Sequence, residues 1–434
     1  MKLNNKRTVL IGLAFMSILA FWQFYDQVIP YILENVFGLT TLTANSVMAI
    51  DNVLAVFMLP LFGALSDRTH SRLGKRTPYI LYGTVDAVIL MCFLAYFENT
   101  VNFIGFFVCL MLLLIAMSIY RSPAVAYMPD VTPKPLRSKA NAIINLVGYL
   151  GGIFATVMMM ILLRSEKAAD GTKVYAKDQS FVPIFLVIAG FMLVTVLVMV
   201  FAVKENKLLA TVKDEMGEEE EEEAQSSGGK LPRDVRRSLI LILLSVFLWY
   251  TAYNAVTTAF SRYCAAIWNV DLGASSGYLL VATVAAIAAF VPLGILSGRL
   301  GRKKAILFGI LLMAACYAIA IAIRKPSAVM YVLFALVGIG WASINVNSFP
   351  MVVEMSKSGD VGKYTGYYYT FSMAAQIVTP ILSGWFITNM GYNVLFPYAV
   401  IFSLASFVTM FFVRHGDNRP EVKKGLESFE ALDV

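Results

Sequence analysis

Apolar runs of roughly twenty residues, the length a helix needs to cross a bilayer, recur from one end of this 434-residue chain to the other. Twelve spans can be read, at about 8–35, 43–66, 78–97, 101–128, 139–163, 181–203, 237–263, 273–297, 304–323, 328–350, 363–388 and 393–413. The runs do not alternate polar with apolar residues, as the strands of a transmembrane barrel would. Only 15% of the residues are charged, against about a quarter in soluble domains. The chain is therefore expected to be an all-α polytopic membrane protein whose main partners are membrane lipids. Its net charge of +7 describes loops facing a membrane surface, not a surface for nucleic acid.

A loop between the second and third spans, Gly63-Ala64-Leu65-Ser66-Asp67-Arg68 running on to Gly74-Lys75-Arg76, returns in reduced form about half a chain later as Gly294-Ile295-Leu296-Ser297-Gly298-Arg299-Leu300-Gly301-Arg302. A Pro-Leu pair precedes each copy, Pro60-Leu61 and Pro292-Leu293. The fourth span closes on Pro129-Asp130 and the tenth on Pro350 and Glu354, each followed by a basic entry to the next span. A pattern repeated once per half implies two related six-helix bundles. The expected division is 1–203 for the first bundle, 204–236 for an acidic linker, 237–413 for the second bundle and 414–434 for a tail. Glu218 to Glu223, followed by Ser226-Ser227-Gly228-Gly229, suggests that the linker is a disordered tether. The polar segment 164–180 suits a small hairpin.

Lys and Arg set the orientation. With both termini inside, the outer loops hold only Arg164, Lys167, Lys173, Lys177, Arg324 and Lys325, and Arg121 and Arg262 lie within spans. The other basic residues fall on the inner side, which places the termini in the cytoplasm of a cell (plasma) membrane protein. The first apolar run is too long for a cleavable signal and lacks a small-residue cleavage site. Cys92, Cys109, Cys264 and Cys316 sit in apolar runs without a CxxC pair, and His70 and His415 fall in loops. No metal site or cofactor is expected, and the motifs of membrane-embedded enzymes or nucleotide-driven pumps are absent.

The loop motif resembles the signature of the major facilitator superfamily. Its longer form here, Ser66-Asp67-Arg68-Thr69 through Ser71-Arg72 and Gly74-Lys75-Arg76 to Pro78, is similar to the glycoside–pentoside–hexuronide cation symporters. Tyr120-Arg121-Ser122-Pro123 with Pro129-Asp130 leans towards the sucrose–proton symporter branch. The resemblance covers essentially the whole chain. It implies a monomeric secondary transporter of a sugar or glycoside working by alternating access. Melibiose-permease-like members carry two carboxylates in span two as part of a sodium site. The matching positions here are Ala55 and Leu59, and the sugar-binding acid of span four falls at Arg121. The resemblance thus points to a proton rather than sodium as the coupling ion. A facilitator, a sodium-coupled carrier and a carrier of another solute such as a lipid or drug are the alternatives.

A charge at mid-bilayer costs about 2.5–3.5 kcal/mol on insertion scales, so each needs a partner or a wet cavity. Asp26 and Asp51 fall in the outer halves of spans one and two, and Arg121 in span four of the same bundle. The functional reading makes Arg121 a donor to substrate hydroxyls and either acid the proton-coupling group; the alternative is an ion pair that pins helices. Gln23 precedes Asp26 by one turn. Tyr250, Tyr253 and Asn254 fall on one face of span seven, a face suited to a polyhydroxylated ligand. Trp341 and Asn345 in span ten and Gln376 in span eleven are candidates to complete that wall, though polar residues also join helices to one another.

The loop residues are expected to gate. Asp67 ends span two, where it can face the positive N-terminus of another helix; in the superfamily that helix is typically span eleven. Arg68 is expected to reach Asp130, and Arg299 to reach Glu354. Gly298 stands where Asp67 would recur, so only the first copy is expected to latch the two bundles together.

Overall fold

The chain is seen here as a computed structural model that describes residues 3–163, 165–167, 173–175, 179–216, 232–268, 272–356 and 360–417. Among them, twelve helices are long and apolar enough to cross a membrane. The first six are α1 (Asn5–Asn35), α2 (Thr41–Arg68), α3 (Thr77–Asn99), α4 (Phe103–Asp130), α5 (Arg137–Leu162) and α6 (Val182–Ala202). A shorter helix, α7 (Glu205–Met216), follows. The second six are α8 (Arg233–Trp268), α9 (Leu272–Leu300), α10 (Arg302–Ile321), α11 (Ala328–Glu354), α12 (Val361–Met390) and α13 (Leu395–Phe411). Between α5 and α6, Ser165–Lys167 pairs antiparallel with Lys173–Tyr175, so the segment read as a hairpin forms one.

The helices begin where the sequence supplies caps. Asn4, Thr40, Asn102 and Ser327 each accept a backbone N–H from the first turn that follows, which satisfies donors left over at a helix start. Within the spans, hydroxyls of Thr84, Ser118, Thr195 and Thr251 donate back to carbonyls one turn earlier. Such bonds keep polar groups satisfied where lipid offers no partner. Large apolar side chains such as Phe57, Ile104, Met160, Phe201 and Ile381 point outward and stay exposed. That exterior is the face a bilayer wets.

The helix pairings repeat from one half to the other. In the first half α1 packs on α6, α3 on α4 and α6, and α2 on α4. The second half repeats each pairing: α8 on α13, α10 on α11 and α13, and α9 on α11. Between the halves, α2 lies against α12 and α5 against α9. These two seams are equivalent under the same exchange. Prolines sit at matching places inside the helices, Pro60 with Pro292 and Pro129 with Pro350. Each removes one backbone donor from its helix ladder.

The linker departs from the expectation of a tether. Its opening residues form α7, and Leu208 is buried. The Asn206 amide donates to the carbonyls of Ser71 and Arg72 at 3.1 and 3.0 Å. Specific partners on the first-half loop give this segment the contacts that a uniformly charged tether lacks. The Glu218–Glu223 run and the tail beyond residue 417 lie outside the described residues.

Close helix contact depends on glycine at defined points. A Cβ on Gly151 of α5 would collide with the backbone carbonyl of Met16 on α1, whereas one on Gly190 of α6 meets nothing within 4 Å. Gly151→Val should therefore cost about 1–3 kcal/mol through overpacking and lower the melting temperature in detergent. Gly190→Val should leave it unchanged. A comparison of the two melting curves checks this.

Candidate transport site

Arg121 stands where the two halves meet. Its guanidinium lies 5.3 Å from the ring centre of Trp22 on α1 and 5.0 Å from that of Tyr369 on α12. Both distances suit cation–π attraction, which strengthens away from water. Among the described residues no protein acceptor hydrogen-bonds the guanidinium. Asp26 and Asp51 lie within electrostatic reach of each other and of Arg121. The Asp51 carboxylate accepts the side-chain amide of Asn52 at 2.7 Å. Asp26 is exposed and has no hydrogen-bond partner among the described residues. Gln23 faces Gly152 of α5.

The second half contributes an aromatic wall. Tyr253 stacks on Trp341 with ring centres 3.9 Å apart and planes 4° from parallel, and Tyr250 meets Trp341 edge-on at 5.0 Å. Tyr250 also interacts with Tyr368, Tyr369 and Arg121, so the wall is continuous with the cation. Tyr368 in turn bonds Ser348 at 3.0 Å. The Asn254 amide nitrogen is buried without a hydrogen-bond partner among the described residues. Asn345 donates to the Trp341 carbonyl at 3.0 Å, and its own carbonyl accepts Asn141 of α5 at 3.1 Å. Its side chain is thus occupied within its own helix. Gln376 is half-buried on α12, outside the ring contacts. Sequence reasoning did not single out Trp22, Tyr368, Tyr369 or Asn141. The Tyr367-Tyr368-Tyr369 run was the available signal, since three phenols in succession are unusual in a membrane span.

The motif loop lies at the end of the molecule where the described residues begin and end, Arg7 bonding Val131 and Asp417 bonding Arg302 there. There the backbones of α2 and α12 touch: a Cβ on Gly63 would meet the Gly362 carbonyl, and one on Gly366 would meet Pro60. The Asp67 carboxylate accepts the backbone N–H groups of Gly362 and Lys363, both at 2.8 Å. These are free donors at the start of α12, where the helix dipole favours an anion. Asp67 also pairs with Arg76, which is fully buried and holds Asp130 through Nε at 2.7 Å. Lys75 reaches the other Asp130 oxygen at 3.0 Å. Burial opposes the Arg76 charge, but Asp130 and Asp67 outweigh it and hold the guanidinium pKa above its usual value.

Arg76, rather than Arg68, is therefore the partner of Asp130. Gly74, at φ 116°, turns the chain back so that Arg76 enters α3 between the ends of α2 and α4. Arg68 points into an outer groove beside Asp360 and Tyr367. The second half needs the same correction. Glu354 is held by Arg302 at 2.8 Å, while Arg299 is exposed. Gly301, at φ 94°, makes the equivalent turn.

The second copy also fastens the halves. Arg302 donates to Ser138 Oγ at 2.9 Å and to the Lys134 carbonyl, and Glu354 pairs with Arg137 at 3.4 Å. The asymmetry is one of chemistry: an anion on a helix N-terminus at one seam, a cation among oxygens at the other. One further pair went unnoticed in the sequence. Glu205 accepts the N–H groups of Lys75, Arg76 and Thr77 at 2.9–3.0 Å, capping α3. Asp417 accepts those of Arg302 and Lys303 at 2.6 and 3.3 Å, capping α10. Each acid follows the last span of its own half.

The sequence pattern of the family described as MFS/sugar transport protein matches residues 10–415. The chain belongs to that family. Its members are transporters, and the match takes in both halves and both motif loops. The proton:xylose symporter XylE, solved with 6-bromo-6-deoxy-D-glucose, superposes with a TM-score of 0.69 at 15% identity, covering 99% of this chain and 98% of that one. FucP in its outward conformation gives 0.68 at 13% identity, covering 94% and 99%. A bacterial homologue of the iron transporter ferroportin, outward-facing with soaked iron, gives 0.70 at 14%, also covering 94% and 99%. At these identities the likeness is one of fold. An uncharacterized symporter of Bacillus subtilis (strain 168), YnaJ, is 35% identical over 74 residues, 16% of each chain.

Asp67→Asn leaves one oxygen where two N–H groups now bind, so it should loosen the α2–α12 seam. Spin labels at Leu73→Cys and Arg299→Cys, in a background with the four native cysteines replaced by Ser, report the separation of the halves at this end. Pulsed dipolar spectra should shift towards longer distances in Asp67→Asn. An unchanged distribution would mean that Asp67 does not hold the seam.

Proposed function

We propose that this transporter carries a sugar or glycoside across the plasma membrane in symport with protons. The observation that carries the reading is the setting of Arg121, a cation flanked by two ring faces whose N–H donors are unspent among the described residues. Rings pack on sugar C–H faces while a guanidinium donates to hydroxyls, which is the usual division of labour in a polar-ligand pocket. Tyr250, Tyr253, Asn254 and Trp341 supply the facing wall, with Gln23 and Gln376 at its margins. Asp26 and Asp51 are the coupling acids. Protonating either alters the field at Arg121, so ligand and proton affinities are linked through that side chain.

The distribution of Lys and Arg supports termini in the cytoplasm. The seam closed by Asp67, Arg76, Asp130, Arg302 and Glu354 is then the cytoplasmic gate, and a single chain rocks its halves, 1–203 and 237–413, about the central site. XylE is a proton:xylose symporter by name, which agrees with this reading. The ferroportin homologue shares the fold, so the choice of cargo rests on the site residues.

Proteoliposome uptake of a panel of mono- and disaccharides, with proton and sodium gradients imposed separately, tests the proposal. A proton gradient alone should drive accumulation of at least one sugar. Arg121→Gln should lower that uptake about tenfold or more, the scale of losing hydrogen bonds to a charged group. Asp26→Asn with Asp51→Asn should abolish gradient-driven accumulation yet preserve exchange of labelled for unlabelled sugar. Accumulation driven by sodium alone would overturn the proton assignment, and failure of every sugar would overturn the substrate class.

A further inference from the structure

A cavity of about 420 Å³ opens where the first turns of α1 meet the end of α6 and the start of α7. Its wall carries the cations Lys6, Arg7 and Lys204 and, among the described residues, no acid. Glu205 is next in sequence to Lys204, but its carboxylate turns away to cap α3. Arg7 donates one N–H to the Val131 carbonyl at 3.3 Å, which anchors its side chain beside the cavity without cancelling its charge. The N-terminus of α1 adds the positive end of a 31-residue helix to the same place. Like charges gathered around one space repel unless an anion fills it.

The floor of the cavity is apolar, formed in part by Leu10 and Ala202. Beside it Phe201 is 77% exposed on the outer face of α6, so the mouth borders the lipid-facing surface. Lys6 and Lys204 are exposed at the ends of two apolar spans, the depth of the headgroups of one leaflet. A phosphate at that depth meets the cations, and an acyl chain can follow Leu10, Ala202 and Phe201 into the bilayer. Basic pockets between spans on the cytoplasmic side suit anionic lipid headgroups for this reason.

We propose that this cavity binds the headgroup phosphate of an anionic phospholipid of the leaflet in which the chain termini lie, the cytoplasmic one in the orientation proposed above. The bound lipid bridges α1 of the first bundle to the α6–α7 junction. Because Lys204 adjoins Glu205, it also steadies the segment that caps the motif loop.

The test is direct binding, which depends on neither the transported substrate nor the orientation. The full chain, purified in detergent and stripped of lipid, is titrated with dioleoyl-phosphatidylglycerol or dioleoyl-phosphatidylcholine, and bound lipid is counted by native mass spectrometry. The wild type should prefer phosphatidylglycerol. Lys6→Gln and Lys204→Gln should each lower that binding about fivefold, the contribution of one basic residue near an anionic headgroup, and the double variant should erase the preference. Arg233→Gln/Arg236→Gln removes as much charge from the start of α8 and should leave the preference intact, with melting temperatures confirming that all variants are folded. Equal loss in that control, or retained preference in the Lys6→Gln/Lys204→Gln protein, would overturn the proposal. So would displacement of the lipid by millimolar inorganic phosphate, which would identify a soluble-anion site instead.

Discussion

Arg76 is a guanidinium held out of water, and the terminal face of the first half is built to satisfy it. Asp67, Asp130, the Ser66 hydroxyl and the Gly63 carbonyl surround it. Each comes from the end of α2 or α4, so one side chain joins α2, α3 and α4. Removing a single partner from such a site leaves a buried charge uncompensated, which is far more costly than losing a surface ion pair. The same Asp67 that answers Arg76 reaches the start of α12. One carboxylate therefore serves both the first bundle and its α2–α12 seam with the second. Glycine makes this arrangement possible, because Gly63 against Gly362 and Gly366 against Pro60 bring the two backbones close enough for Asp67 to reach two amides.

The spans were legible in the sequence because the bilayer imposes their length, and loop charge marks their ends. The two-bundle architecture was legible because the loop motif and its prolines recur. Which arginine of a basic loop turns inward was not legible. Arg68 and Arg76 are chemically the same, and the difference arises from the turn at Gly74, whose geometry spacing alone does not give. Glu205 and Asp417 were hidden for another reason. Each is one acid among several beyond the last span of its half, and its partners lie more than a hundred residues earlier in the chain. At the centre, Arg121 and the two acids stood out as charges in an apolar background. Trp22 and Tyr369 did not, since an aromatic ring in a membrane helix usually packs as any large side chain does. Only the placement of both rings on one guanidinium separates them from the rest.

The capping acids change how the molecule can move. Glu205 binds the start of α3 and Asp417 the start of α10, so each half is closed on itself from its last helix back to its motif loop. On the proposed function, a half so bound would move as a unit, bending where proline already breaks the helix ladder. Pro60 and Pro292 lie one turn or less from the motif glycines, and Pro129 and Pro350 lie within a turn before the seam acids Asp130 and Glu354. The breaks thus fall between the rigid loops and the spans they terminate.

Site and seam are joined through two of those spans. α4 carries Arg121 and, roughly 13 Å further along at 1.5 Å per residue, Asp130. α12 carries Tyr369 and, about 10 Å towards its start, the amides that hold Asp67. Arg121 touches Tyr369, and Asp67 joins Asp130 to α12 through Arg76, so the two helices are pinned to each other twice, once at the centre and once at the end. On the proposed function, a ligand inserted between Arg121 and the ring of Tyr369 would replace the first pin with its own contacts and change the spacing of the helices there. The second pin tolerates little of that change, because two short hydrogen bonds to successive amides fix both the distance and the direction of Asp67. On the proposed function, occupying the centre would strain the seam, and releasing the seam would free the centre to close around its ligand. The coupling needs no relay of small shifts across the bundle, only two helices stiff enough to act as levers between the same two contacts.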